Sequence, residues 1–423
     1  NQKQARFLDS LSWEGTPALK RMHEIRGPVT VDSTDRSMLP EAPFTVPAPP
    51  VDSLTPYRNR YLRTVARRVL DWPGGLPSWL AHAYRGGRGE LAGALREHPA
   101  AFYAAWALPT VAAPVCGGDL GTAIPQLLAE LSRQRALPEQ GAFWGAPVSR
   151  LVLPSIGCVR RFERPRVGML FGNGLITVSP TEEWSLSPGD GDVWPLAAGG
   201  WLLGADTNPL AMQELHPDKA GNAVDLGTAS PAEWVASIDR ARARVEQYLP
   251  ALAAEHRGIL AAIVPVGQHG ERSLSASYKE AIGQAYLSLH ANSLTMTEAI
   301  VHEVQHSKAN LLSWTDPLVE NSEACFPSPV RPDPRPIWGV LLAVHAFLPV
   351  ALIHRAMYQS GDTEHDAGRF RDVLRVNHDG MDVLRAHARP TALGKVLLDG
   401  MDRLEAALWA ETGDGLASRL VTA

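Results

Sequence analysis

The sequence predicts an α+β protein: a mostly helical N-terminal region, then a domain of a small sheet, one histidine-bearing helix and a C-terminal helical bundle. Three observations predict this. Residues 57–136 follow helical periodicity, in stretches such as 61–70, 78–85 and 122–131. At 149–159 and 167–178 β-branched and apolar runs take over, and Gly172-Asn173-Gly174 has the turn chemistry of a hairpin. From Thr295 onward four helical stretches succeed one another, roughly 295–312, 334–358, 365–388 and 393–411. The expected division is therefore 1–148, a helical domain with a possible role in recognising a peptide leader, and 149–423, the catalytic domain.

Taken in order, residues 38–56 carry six prolines and read as an extended arm. Short strands and loops follow the hairpin through 189–204. Ser230 with Glu233 matches a capping box, and Pro231 suits the first helical position. Residues 258–266 and 281–289 read as strands, the second a candidate sheet edge on which an extended peptide could pair. Thr295 and Glu298 form the capping box expected to start the next helix. Residues 337–353 are the most apolar run, but they are too short for a membrane span and contain Gly339, His345 and Pro349; they predict a buried core helix.

Composition narrows the function. The chain has 423 residues, 45% hydrophobic and 20% charged, with a formal net charge of −5 and a pI near 6.3. No global positive field draws nucleic acid or an acidic membrane surface. The arginines at 60–68 and 160–166 read as solvated faces. Cys116, Cys158 and Cys325 form no CxxC pair, so reduced, at least partly buried thiols in a cytoplasmic protein are expected. No signal-peptide pattern is visible, and oligomeric state is left open.

The chemistry concentrates in His302-Glu303-Val304-Gln305-His306. On a helix the i, i+4 spacing puts both imidazoles on one face, the arrangement that binds a metal. His302, Gln305, His306, Ala309 and Ser313 share a polar arc, with Ile300, Val301, Val304, Leu311 and Leu312 opposite. Lys308 falls among the apolar residues and is expected to snorkel outward. A third ligand is needed. The pattern HExxHxxGxxH is excluded by Ala309 and Leu312. His345 is favoured: antiparallel packing would carry it towards the motif, and Pro349 frees its carbonyl and predicts a kink there. Glu320 and Glu323 are the alternatives. The arrangement expected is zincin-like.

The set Ser275-Ala276-Ser277, 281–288, 300–306, Asp333-Pro334-Arg335-Pro336 and 339–346 resembles the HExxH-containing peptide-modification proteins of ribosomal peptide biosynthesis, found alone or fused to radical-SAM maturases. The similarity runs from about 149 to 407. It implies an iron(II)- and 2-oxoglutarate-dependent hydroxylase acting on a side-chain carbon, most simply the β carbon, of a precursor peptide. His302, His306 and His345 would hold the metal. Arg335, with Arg331 as second choice, would meet the co-substrate's distal carboxylate, and Ser275 or Ser277 would offer a hydroxyl. Arg335 can equally be a structural partner of Asp333. Glu303 would orient water or a ligand. Two other readings stay open: a zinc peptidase with Glu303 as general base, and a peptide-binding protein with a structural metal.

Overall fold

A computed structural model describes residues 54–70, 112, 123, 125–127, 129, 141–153, 157–172, 175–179, 182–185, 191–208, 223–268, 273–330 and 332–411. The proline arm up to residue 53, the 78–85 stretch, Cys116 and Arg331 lie outside these residues.

Helix α1, Thr55–Leu70, buries a stripe of Tyr57, Tyr61, Leu62 and Val65. The spacing is that of one helical face. This face joins the same hydrophobic core as Trp314, Leu318 and Val344. Tyr61 meets Trp314 edge-on at 5.2 Å and donates its hydroxyl to the Glu280 carbonyl at 3.2 Å. The described part of the N-terminal region is thus docked on the downstream domain and shares its core. The expected boundary at 149 also moves, because β1 runs Gly141–Leu153.

Strand β1 pairs antiparallel with β2, Cys158–Gly172; β3, Leu175–Ser179, and β4, Glu182–Ser185, complete a four-stranded sheet in sequence order. Gly172 lies opposite Leu175, so the Asn173-Gly174 turn signal falls at the expected connection.

A second sheet holds β5 (Val193–Pro195), β6 (Trp201–Leu203), β7 (Ala262–Pro265), β8 (Ser275–Ser277) and β9 (Gln284–Leu287), in the order β5-β6-β7-β9-β8. β6, β7 and β9 are parallel; β5 and β8 run antiparallel at the two edges. Between β6 and β7 come α2, Pro231–Tyr248, and α3, Pro250–Ile259. The Ser230–Glu233 capping box is formed, with Glu233 N–H donating to Ser230 Oγ at 3.3 Å and Ser230 N–H donating to Glu233 Oε2 at 2.7 Å. The strand expected from 258 starts only at Ala262, because α3 carries on through Ile259.

The two faces of this sheet are covered differently. Val264, Val266, Ala276 and Tyr286 pack with Val152 and Val159 of the first sheet. Ile263, Ala285 and Leu287 pack with Trp234 and Ile238 of α2 and with Met296, Ile300 and Val304 of α4, Ser293–Ser313. Gly283 introduces β9 with φ +86°, and a Cβ there would lie 2.4 Å from the Ile259 carbonyl oxygen; only glycine fits that approach.

The expectation for 281–289 is corrected. β9 is paired on both edges, by β7 and by β8, so it cannot accept a further strand. The edge is β8.

After α4 a two-stranded ribbon pairs β10, Cys325–Phe326, with β11, Arg335–Pro336. Then come α5 (Ile337–Ser360), α6 (Ala367–His387) and α7 (Ala392–Glu411), close to the predicted bounds. By length and hydropathy α5 could cross a membrane, yet 78% of its most apolar window is buried by the rest of the chain. That fits a core helix. Pro349 lies inside α5 without ending it. Cys158 is buried, whereas Cys325, in the two-residue strand β10, is exposed, against the expectation for it.

Candidate metal centre

Helix α4 is buried on nearly all sides, its polar arc as well as the apolar arc expected to pack on the core. It lies between the sheet, α2, α3 and α5, so only Ala299, His302, His306 and Ser313 of its last four turns are even half-exposed. Its start also differs from the reading of Thr295 and Glu298. Asn292 is the N-cap, its Oδ1 accepting from Leu294 N–H at 2.8 Å and Thr295 N–H at 3.2 Å. Glu298 is turned inward, where His354 of α5 and Arg369 of α6 hold its carboxylate.

The i, i+4 geometry brings the His302 and His306 rings to 4.3 Å between centroids, nearly perpendicular. One ligand atom each from His302, Glu303 and His306 lie within 4.8 Å of one another, the metal-competent cluster found among the described residues. Phe347 of α5 closes one side, 4.7 Å edge-on from the His302 ring. Burial, reinforced by His306 alongside, pushes the His302 pKa down to about 3. The imidazole is therefore neutral at ordinary pH, the form that donates a lone pair to a cation. Glu303 is buried, and among the described residues its Oε2 has no hydrogen-bond partner. A buried carboxylate oxygen without a donor is costly unless a cation meets it. The residues present therefore fit a divalent metal.

The sequence reading favours His345 as third ligand. α4 and α5 do pack antiparallel: Glu298 meets His354, His302 meets Phe347, and His345 comes beside His306. His345 is nevertheless not part of the cluster. Its ring faces the Gln305 backbone carbonyl without reaching hydrogen-bond geometry, and among the described residues both ring nitrogens lack hydrogen-bond partners. Burial, with Lys308 and His306 nearby, holds its pKa well below the usual value. Glu320 and Glu323 are exposed carboxylates on the loop after α4 and do not reach the cluster.

The other assigned residues are sorted in the same way. Arg335 lies in β11 and pairs with Asp333 at 3.0 Å. Since α5 runs antiparallel to α4, this end of α5 faces the far end of α4, away from His302. Ser275 and Ser277 stand opposite Leu287 and Ala285, and directly paired residues project to the same face. Both serines thus lie on the α4 side of the edge strand, and Ser277 Oγ is buried without a partner.

Behind the motif the sequence reading of Lys308 is overturned. Lys308 does not snorkel; it is 1% exposed and its Nζ donates to Glu255 Oε2 at 2.7 Å. Gln305, inside the motif, donates to Glu255 Oε1 at 3.0 Å. Glu255 of α3 therefore fixes the motif helix at two successive turns. His256, next to it, is buried with neither ring nitrogen bonded, and burial lowers its pKa to about 3. Glu255, Glu298, His354 and Arg369 were all missed in the sequence. Glu298 had a readable signal, being four residues before His302 on the same face; the others are joined to α4 only by tertiary packing.

In comparison with known proteins, the chain matches no family model and no curated protein sequence.

Proposed function

We propose that this chain is an iron(II)- and 2-oxoglutarate-dependent hydroxylase that modifies a side-chain carbon, most simply the β carbon, of a ribosomally made precursor peptide, in keeping with the sequence resemblance. The observation that carries this reading is the donor set: two imidazoles and one carboxylate, of His302, His306 and Glu303, converge within 4.8 Å. Two histidines and a carboxylate are the ligand set of non-haem iron oxygenases. This moves Glu303 from orienting a neighbour into the ligand set, and leaves His345 as a buried residue behind it.

The balanced reaction is peptide C–H plus 2-oxoglutarate plus O2 giving peptide C–OH, succinate and CO2. Bound iron with its co-substrate supplies the oxidising chemistry. The chain's own residues hold and exclude: Phe347 shields the His302 ring, and Glu255, through Gln305 and Lys308, fixes the helix that aims both histidines. A peptide in extended form would pair with β8, whose outer edge carries no further strand among the described residues. Ser275 and Ser277 would then line the gap between peptide and α4. A cytoplasmic location goes with this reading.

The buried Glu303 carboxylate beside both histidines also favours a second reading, a zinc peptidase in which Glu303 takes a proton from the attacking water. The two are separated by metal analysis of anaerobically purified protein, coupled to a 2-oxoglutarate turnover assay with a co-expressed precursor peptide. Iron with succinate and a peptide heavier by one oxygen atom supports the hydroxylase. Zinc with peptide cleavage that Glu303→Gln stops would replace it.

A further inference from the structure

The face of α4 that carries the histidines continues one turn towards its N-terminus to Glu298. Residues four apart on a helix are neighbours, with an axial step of about 6 Å. Glu298 is buried and both of its oxygens are engaged: Oε1 accepts from His354 Nε2 at 2.9 Å, and Oε2 accepts from Arg369 Nε at 2.8 Å and Nη2 at 2.6 Å. Arg369 is bound through one side of its guanidinium. Among the described residues no partner meets its Nη1, and its side chain remains 41% exposed. The end-on fork of Nη1 and the second Nη2 proton is therefore open, in the planar geometry that receives a carboxylate in two parallel hydrogen bonds.

We propose that Arg369 is the cation that receives a ligand carboxylate beside the His302–His306 cluster, with Glu298 and His354 as positioning residues for its guanidinium. The proposal rests on the hydroxylase reading for its first choice of ligand, the distal carboxylate of 2-oxoglutarate. Glu298, which holds the guanidinium, stands one helical turn from His302, and this places Arg369 beside the cluster. A carboxylate on the peptide itself is the other source of the same chemistry. Arg335, by contrast, already faces Asp333 at the remote end of α5.

The test is a cycle between side chain and ligand. Full-length, metal-loaded protein is titrated anaerobically by calorimetry with 2-oxoglutarate and with 2-oxopentanoate, which lacks the distal carboxylate. The parent is expected to prefer 2-oxoglutarate by about thirtyfold, and Arg369→Met to bring that ratio near one with metal content unchanged. If Arg369→Met loses metal or fold, Arg369→Lys serves: it keeps the charge beside Glu298 but not the fork, and a ratio as large as the parent's overturns the proposal. In a parallel arm, a substrate peptide with a free terminal carboxylate is compared with its amide. An Arg369-dependent preference confined to the peptide keeps the carboxylate site and reassigns its ligand, and counts against the hydroxylase reading. Preferences independent of Arg369 in both arms overturn the proposal, even if succinate is still formed.

Discussion

At the scale of single residues, the centre turns on one carboxylate oxygen, Glu303 Oε2, that meets no donor among the described residues. Glu303 is buried with one carboxylate oxygen unmet, so the metal-free protein carries a cost that a bound cation removes. Glu303→Gln should therefore leave the metal-free protein as stable as the parent or slightly more so, while the melting temperature gained on adding saturating metal shrinks. Differential scanning calorimetry with and without metal reads this; an unchanged gain would take Glu303 out of the ligand set. His302→Ala and His306→Ala should each abolish stoichiometric metal, measured by elemental analysis. His256 gives a pH prediction with a definite sign. Its folded pKa is lowered to about 3, so between about 6.5 and 3 the unfolded chain binds a proton that the folded one refuses. Stability should fall as pH drops through that window and be indifferent to His256 above it. The contribution is at most about 1.4 kcal/mol per pH unit, and His256→Met should reduce the slope by that share in urea titrations at pH 7 and pH 5.

At the scale of elements, α4 shows what sequence can and cannot convey. The helix and its two histidines were legible because the i, i+4 spacing is local. Its surroundings were not: Gln305 sits on an arc that is polar in sequence, and Lys308 among apolar residues, yet the Gln305 amide nitrogen and the Lys308 ammonium both meet Glu255, some fifty residues earlier. The same blindness misassigned the N-cap to Thr295: Asn292 takes that place, and Glu298 is drawn inward by its packing against α5 and α6. The 281–289 strand was found, but its place in the sheet depends on β8, which is too short to announce itself. A buried ion pair is weak support for stability but strong evidence of register. Lys308→Met alone should cost about 3–5 kcal/mol by leaving Glu255 buried and uncompensated. Adding Glu255→Met should recover much of that loss while metal affinity stays weakened, as guanidinium unfolding and metal titration of the same variants would show. Recovery of both would make the pair purely structural.

At the scale of the molecule, α1 belongs to the same core as the domain that carries His302 and His306. Tyr57 and Tyr61 are buried against residues that follow α4, and Trp314 Nε1 donates to the Lys279 carbonyl at 2.8 Å, tying α4 to the loop after β8. Tyr61→Ala should therefore destabilise the domain that carries α4 by about 3–5 kcal/mol, the range for deleting a buried aromatic. A chain beginning at residue 71 should melt lower than the full chain; equal melting temperatures would show that α1 is dispensable to the core.

The outer edge of β8 has a consequence for handling and for life at high concentration. A strand with free backbone groups accepts any extended chain, including another copy of this protein. Here the edge is three residues long and made of serine, alanine and serine, all small and two of them polar. Such a strand forms too few ladder bonds to nucleate a fibre and has no β-branched side chains to lock a dry interface. Restraint against self-assembly is thus built into the same segment that would greet a substrate, and replacing both serines with valine should trade it for concentration-dependent aggregation.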